Sequence, residues 1–429
     1  MHALGIFPII GLIPNSKQSR AMSQLPNIPL RVFHNPLAAP DAPYSSALQA
    51  ILNEQDLAQA RTEISRWPGY APTPLLPLPG LAAQLGVATI HYKDESQRFS
   101  LNSFKALGGA YAVARLLIRE IEARTGATGV STTDLLGGRY RSITGDITVS
   151  CATDGNHGRS VAWGAQQFGC RCVIYIHATV SAGRKQAIEH YGAEVVRTPG
   201  NYDDSVRIAA QDAERHGRFV VSDTSYEGYT DVPKDVMQGY TVMVDEAISQ
   251  LGSQLPTHIF IQGGVGGLAA AVCAPFWQRF GAKRPRLIIV EPERADCIFQ
   301  SIQAGQRIAL EGDIDTVMAG LACGEVSLLA WEILRQGADD VITVPDQAAL
   351  DCMRLLAAGS AGDPPVVAGE SAVAGLAGLI GSAADSSLRQ ELALSADSRI
   401  LLFGSEGDTD PELYQSIVGR SAAAVRGQA

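Results

Sequence analysis

The chain has 429 residues, 46% hydrophobic and 18% charged, and 34 Lys plus Arg stand against 44 Asp plus Glu for a formal net charge of −10. Such a length exceeds what one compact core supports and predicts two domains, with the composition of a globular protein. The acidic balance, with no basic run, excludes nucleic acid and anionic membrane as partners but leaves room for a small anion in a local basic site.

No apolar run approaches the roughly 18–20 residues that span a bilayer. Ala3 to Pro14 is apolar, but Gly5, Pro8, Gly11 and Pro14 break it and no basic segment precedes it, so a signal peptide is not expected. The cysteines (151, 170, 172, 273, 297, 323 and 352) form no CxxC pair and no ligand-like grouping with histidine. They are expected to be buried thiols of a cytoplasmic protein, without a metal site. Whether Cys297 and Cys323 meet in space is open at this level.

Residues 1–46 are rich in Pro, Ser and Ala and predict an irregular arm. Residues 46–66 have helical spacing, which Trp67-Pro-Gly-Tyr-Ala-Pro-Thr-Pro ends. Short β-branched runs then alternate with Ala- and Leu-rich stretches: Ala88–Tyr92, Cys172–Ile176, Glu194–Arg197, Arg218–Val221, His258–Ile261, Leu287–Val290, Val341–Val344 and Arg399–Phe403. That alternation predicts βαβ units and parallel sheets covered on both faces. Residues 124–147, with two glycine-rich stretches, predict a surface excursion.

Four segments carry candidate chemistry. In Asn102-Ser-Phe-Lys105, Asn102 or Ser103 can cap a helix whose first turn holds Lys105 among apolar neighbours. Burial lowers a lysine's pKa and frees the neutral amine needed for Schiff-base chemistry, although a lone first-turn lysine is usually a solvated charge. Thr148-Val-Ser-Cys-Ala-Thr-Asp154-Gly-Asn156-His-Gly158 runs from a strand into a helix. Its glycines let the backbone approach a ligand, Asn156 offers an amide donor, and His157 reads as a turn filler.

The third segment, His258-Ile-Phe-Ile-Gln-Gly263-Gly264-Val265-Gly266-Gly267, is strand, glycine turn and helix, a cradle for phosphate. It also fits Gly-x-Gly-x-x-Ala, with Glu291 closing the next strand as a ribose contact, so a dinucleotide-binding oxidoreductase stands as the rival. The fourth, Arg399-Ile-Leu-Leu-Phe-Gly-Ser405, ends a late strand with a hydroxyl able to bond a pyridine nitrogen.

Lysine, asparagine loop, glycine loop and terminal serine, in that order, resemble the tryptophan-synthase-β-like family, fold type II of the pyridoxal-phosphate enzymes, over about residues 70–412. Within it the motifs Lys93-Asp-Glu-Ser, Thr153-Asp-Gly-Asn-His-Gly158, Asp223-Thr-Ser-Tyr-Glu-Gly-Tyr229, Gly320-Leu-Ala-Cys-Gly-Glu325, Gly369-Glu-Ser and Ser405-Glu-Gly-Asp-Thr-Asp410 resemble the diaminopropionate ammonia-lyases. Threonine and serine dehydratases, the nearer alternative, carry a small or hydroxyl residue where Asp154 stands.

The resemblance implies an α/β fold of two open domains with mainly parallel sheets. A large domain would span 1–117 and 227–429, with 1–26 an arm lacking a family counterpart, and a small domain 118–226 would close over the substrate. It implies pyridoxal 5′-phosphate on Lys105, its ring met by Asn156 and Ser405 and its phosphate by Gly263–Gly267. Asp154 and Asp223 are then the active-site acids for a small amino-acid substrate. It also implies a homodimer.

Overall fold

The computed structural model describes residues 25–427 other than 154, 179, 201 and 361. The β-branched runs fold as strands, each within two residues of its predicted bounds at either end. They are β3 (Thr89–Asp94), β5 (Arg171–Ile176), β6 (Glu194–Arg197), β7 (Phe219–Val220), β8 (His258–Gln262), β9 (Arg286–Pro292), β10 (Asp340–Val344) and β11 (Arg399–Gly404). β4 (Thr148–Ala152) leads into the asparagine loop as expected. β1 (Arg31–His34) and β2 (Leu75–Pro77) were not anticipated. β1 corrects the reading of residues 1–46 as irregular throughout, because it pairs antiparallel with β10.

Among the described residues, seven strands form one sheet in the order β1-β10-β9-β8-β11-β3-β2, and four form a second in the order β6-β5-β4-β7. All pairings are parallel except β1 with β10 and β2 with β3, the two edges of the larger sheet. The alternation of side chains along a strand then divides the core in two. Ile259, Ile261, Leu287, Ile289 and Leu401 face one cluster, and Phe260, Ile288, Val290, Ile342 and Leu402 face the other.

The helices that bear on function are α1 (Glu54–Ile64), α2 (Lys105–Thr125), α3 (Asn156–Phe168), α4 (Ala182–Glu189), α5 (Asp231–Leu251), α6 (Gly267–Phe280), α7 (Cys297–Ala304) and α8 (Leu328–Gly337). The strands of the smaller sheet all lie between α2 and α5 in sequence. α2 and α3 pack almost backbone to backbone, since a Cβ at Gly164 would fall 2.7 Å from the Ala110 Cα. The excursion at 124–147 includes two short helices, Thr132–Leu136 and Arg141–Thr144.

Lys93-Asp-Glu-Ser proves to be structural. Lys93, Glu95, Arg98 and Glu246 are all buried and satisfy one another. The Glu246 carboxylate accepts from Lys93 Nζ at 2.7 Å, from Arg98 at 2.9 and 2.7 Å and from the Tyr70 hydroxyl at 2.9 Å. Glu95 accepts from Arg98 at 2.7 and 2.8 Å. Burial pushes the Glu246 carboxyl up, but the two cations outweigh it and hold it below its ordinary value.

The network anchors a loop in which Phe99, Ser100 and Asn102 all have positive φ, between 50° and 60°. The Phe99 ring is pinned between Trp67 and Trp163, at 6.0 and 4.9 Å. Removing one partner of a buried charge network leaves the others uncompensated, so Glu246→Ala is expected to lose about 3–5 kcal/mol of stability. Urea unfolding followed by circular dichroism checks this. A loss within experimental error of zero would mean that Lys93 and Arg98 find other partners or water.

Candidate active site

Ligands of open parallel sheets bind beyond the carboxyl ends of the strands. Each candidate segment follows such an end: Lys105 after β3, the asparagine loop after β4, Asp223 after β7, the glycine loop after β8 and Ser405 after β11. β8, β11 and β3 are neighbours, which brings the lysine, glycine and serine segments together.

Lys105 opens α2. The preceding loop lies along the one after β11: Phe104 N–H donates to the Ser405 carbonyl at 2.9 Å, and Gly407 N–H to the Asn102 carbonyl at 2.9 Å. Neither expected cap holds the N-cap position, which falls to Phe104 without a side-chain cap, although Ser103 Oγ accepts from Lys105 N–H at 3.3 Å. Asn102 instead supplies a left-handed turn.

Lys105 Nζ donates to Asp223 Oδ2 at 2.5 Å, with each side chain about one-fifth exposed (21% and 18%). This corrects the expected lowered lysine pKa. Burial does push Lys105 down, but the Asp223 charge outweighs it and holds the amine well above its ordinary value. Burial pushes Asp223 up, yet Lys105 and His157 hold it well below the usual carboxylate range. His157 does more than fill a turn: its Nε2 donates to the Val221 carbonyl at 2.8 Å, and Nδ1 stands 3.9 Å from Asp223.

Asn156 opens α3 and donates one amide N–H to Glu406 Oε2 at 2.5 Å, leaving its second N–H for another acceptor. Ser371 N–H donates to Glu406 Oε1 at 3.1 Å. Glu370 lies beside it, pushed up to about 8 by burial and then by the Glu406 charge. Arg184 of α4 reaches Glu370 at 3.2 Å. Sequence reasoning quoted Gly369-Glu-Ser and Ser405-Glu-Gly-Asp as motifs without giving these carboxylates work. The available signal was an acid placed between glycine and serine, after the end of β11 for Glu406 and ahead of the helix Ala374–Ala384 for Glu370.

Asp154 lies outside the described residues. Next to it, Thr153 Oγ1 accepts from Gly155 and Gly158 N–H at 3.1 and 3.3 Å, which closes the loop onto α3.

In the glycine loop Gly264 and Gly266 have φ of 62° and 90°, conformations that side chains resist. Among the described residues, the N–H groups of Gly264, Val265, Gly267, Leu268 and Ala269 donate to no protein acceptor. Such unspent donors at the start of a helix suit a phosphate. Ser405 Oγ accepts from Gln262 Nε2 at 2.6 Å, which frees its own O–H to donate. Unspent donors, a serine hydroxyl, a spare asparagine N–H and a lysine amine together fit pyridoxal phosphate.

The dinucleotide rival needed Glu291 at the ligand. Glu291 is fully buried and accepts from Ile298 and Phe299 N–H at 3.1 and 2.8 Å, capping α7. Burial pushes it up to about 8, as expected of a group held away from water. Cys297 Sγ lies 3.5 Å from the Gly264 carbonyl, and a Cβ at Gly264 would fall 3.8 Å from Cys323 Sγ, so both thiols border this glycine.

Comparison with known proteins agrees. A family model described as pyridoxal-phosphate dependent enzyme matches residues 66–405. The diaminopropionate ammonia-lyase of Escherichia coli (strain K12) is 40% identical over 389 residues, covering 89% of this chain and 96% of the relative. That of Salmonella typhimurium is 41% identical over 367 residues, covering 83% and 90%.

The solved holo diaminopropionate ammonia lyase from Escherichia coli superposes with a TM-score of 0.83 at 38% identity, covering 92% of this chain and 98% of that one. Threonine deaminase isoform 2 from Solanum lycopersicum shares the fold, with a TM-score of 0.66 at 22% identity, covering 91% and 98%. The chain belongs to the pyridoxal-phosphate dependent enzymes of fold type II, and among them to the diaminopropionate ammonia-lyases.

Proposed function

We propose that this chain eliminates ammonia from 2,3-diaminopropionate, that hydrolysis of the product by one water yields pyruvate and a second ammonia, and that Lys105, Asp154 and Asp223 carry the proton traffic. The observation behind it is the Lys105–Asp223 pair set beside unspent phosphate donors and the Ser405 hydroxyl. When bound, pyridoxal 5′-phosphate supplies the electron sink that makes an amino acid's α-proton removable.

The residues divide the remaining work. The Gly263–Gly267 backbone would hold the phosphate, Ser405 would donate to the ring nitrogen, and Asn156, oriented by Glu406, would donate to the ring oxygen. Lys105 would carry the cofactor, and its free amine would take or return a proton at the α-carbon from one face. Asp154 serves the opposite face. Asp223 would neutralise Lys105 whenever that amine carries a proton, and while the amine is neutral its carboxylate would be available to the β-ammonium of the substrate.

Two domains, 1–117 with 227–429 and 118–226, are supported by the two sheets, whose strands fall on either side of those bounds. Closure of the smaller one would bring the asparagine loop onto substrate. Family resemblance supports a homodimer. The buried thiols of Cys151, Cys172, Cys273 and Cys352 support the cytoplasm. No described helix is long and apolar enough to cross a membrane.

Substrate choice provides the test. A carboxylate pairs with an ammonium where a hydroxyl offers only a neutral bond, and a charge-assisted hydrogen bond is worth about 1.5–3 kcal/mol, or roughly 10–150-fold. Release of pyruvate or 2-oxobutanoate is expected to favour diaminopropionate over serine and threonine by that factor in kcat/KM. Higher specificity for threonine would replace this reading with a dehydratase.

A further inference from the structure

Away from the strand ends, α1, α2 and α5 line a half-open cavity of about 300 Å³. Its size is at the lower limit for ligand sites, about 300–1,000 Å³. Arg115, Arg119 and Lys234 line it, and so do Asp56, Asp231 and Asp235. Three cations and three carboxylates make its wall neutral overall, and the Tyr111 ring adds apolar surface between them.

The charges are unevenly engaged. Asp235 serves both guanidiniums, 2.7 Å from Arg119 and 3.9 Å from Arg115, so the arginine side keeps a surplus of positive charge. Among the described residues, no ion pair or side-chain hydrogen bond engages Lys234 or Asp231. Gln238, on the cavity wall, is only 3% exposed, and its Oε1 accepts no hydrogen bond. A buried acceptor without a donor is costly, and a small turn of the Gln238 amide toward the cavity would offer it to a ligand N–H.

We propose that this cavity is an effector site for a small zwitterion, an amino or imino acid. Its carboxylate meets Arg115 and Lys234, and its ammonium meets the Gln238 carbonyl oxygen and the carboxylate of Asp56 or Asp231. A simple anion would leave Gln238 Oε1 unmet, and a simple cation would leave the arginine side unmet. The cavity also has a route to the chemistry. α2 begins with Lys105, and Arg115 lies ten residues along it, about 15 Å away at 1.5 Å per residue.

α5 follows directly on the segment that carries Asp223. The two helices touch through backbone, since a Cβ at Gly239 would fall 2.3 Å from the Leu107 carbonyl oxygen. A ligand that ties α2 to α5 therefore acts on the pair that positions Lys105 against Asp223.

Titration calorimetry of the holoenzyme with L-proline tests this. Proline's secondary amine cannot form a neutral imine with the cofactor, so the cofactor absorbance should stay unchanged while one site per chain fills. Acetate and pyrrolidine, each carrying half of the charge pattern, are expected to bind at least about tenfold more weakly. Gln238→Leu and Lys234→Ala should each weaken proline binding about 10-fold or more, the range for a hydrogen bond to a charged group.

Lys234 is only half-buried, so its variant keeps the test sound if Gln238→Leu folds poorly, and without proline it should retain normal turnover. Saturating proline is expected to shift kcat/KM for diaminopropionate severalfold. The proposal fails if proline does not bind, if neither variant weakens it, if diaminopropionate displaces it with a change in cofactor absorbance, or if kcat/KM does not move.

Discussion

Replacing Lys105 by alanine is expected to lower kcat/KM by about 10⁴-fold, the upper end of what loss of a proton-transfer group costs. The variant should also lose covalent cofactor. Borohydride reduction of the unmodified protein followed by peptide mapping should place the pyridoxyl mass on the peptide containing Lys105. Lys105→Arg separates two explanations. An arginine preserves the ion pair with Asp223, now 2.5 Å from the lysine amine, but its guanidinium stays protonated at any working pH. Inactivity of both variants therefore assigns the loss to the amine as nucleophile and base. A label on another lysine, or substantial activity in Lys105→Arg, would overturn the assignment.

Asp154→Asn is expected to divide the two enantiomers of the substrate. The change keeps size and shape and removes the proton acceptor, a loss of about 10²–10⁴ in rate where that acceptor does the work. Lys105 can approach the α-carbon from one face only, so the residue serving the other face governs one enantiomer. The expected pattern is a large kcat loss for D-diaminopropionate and a smaller loss for the L form. Steady-state kinetics with each pure enantiomer decides it. Equal kcat losses would confine Asp154 to binding or electrostatics and remove the two-base scheme.

The sequence made the interior strands legible because parallel strands buried on both faces read as continuous β-branched runs. β1 and β2 were not legible. Arg31–His34 is half exposed and meets its partner, Thr343 opposite Arg31, only through a long-range pairing. Leu75–Pro77 is three residues ending in proline. The site segments were legible as glycine turns and caps, which are local. The protonation of Lys105 was not, because the charge that sets it comes from Asp223, 118 positions away. The same holds for Glu246, 148 positions from Arg98, without which a lysine, a glutamate and an arginine near 95 read as a solvated face. Glu291 looked like a ribose ligand for the converse reason: its partners are backbone N–H groups that no side-chain pattern announces.

The run of left-handed residues before Lys105 has a consequence for how the protein would respond to selection. Phe99, Ser100 and Asn102 hold conformations that strain side-chain-bearing residues by about 1–3 kcal/mol each. Glycine at Ser100 relieves that strain at the least cost, since Phe99 would lose its ring contacts with Trp67 and Trp163 and asparagine tolerates the conformation better. A library screened only for heat resistance would therefore find its easiest gains here, within six residues of the lysine. Such variants would trade the fixed approach of α2 for a looser one, and would survive heating better while turning over substrate less well. Screening for turnover alongside heat resistance would keep those positions as they are and push the stabilising changes elsewhere.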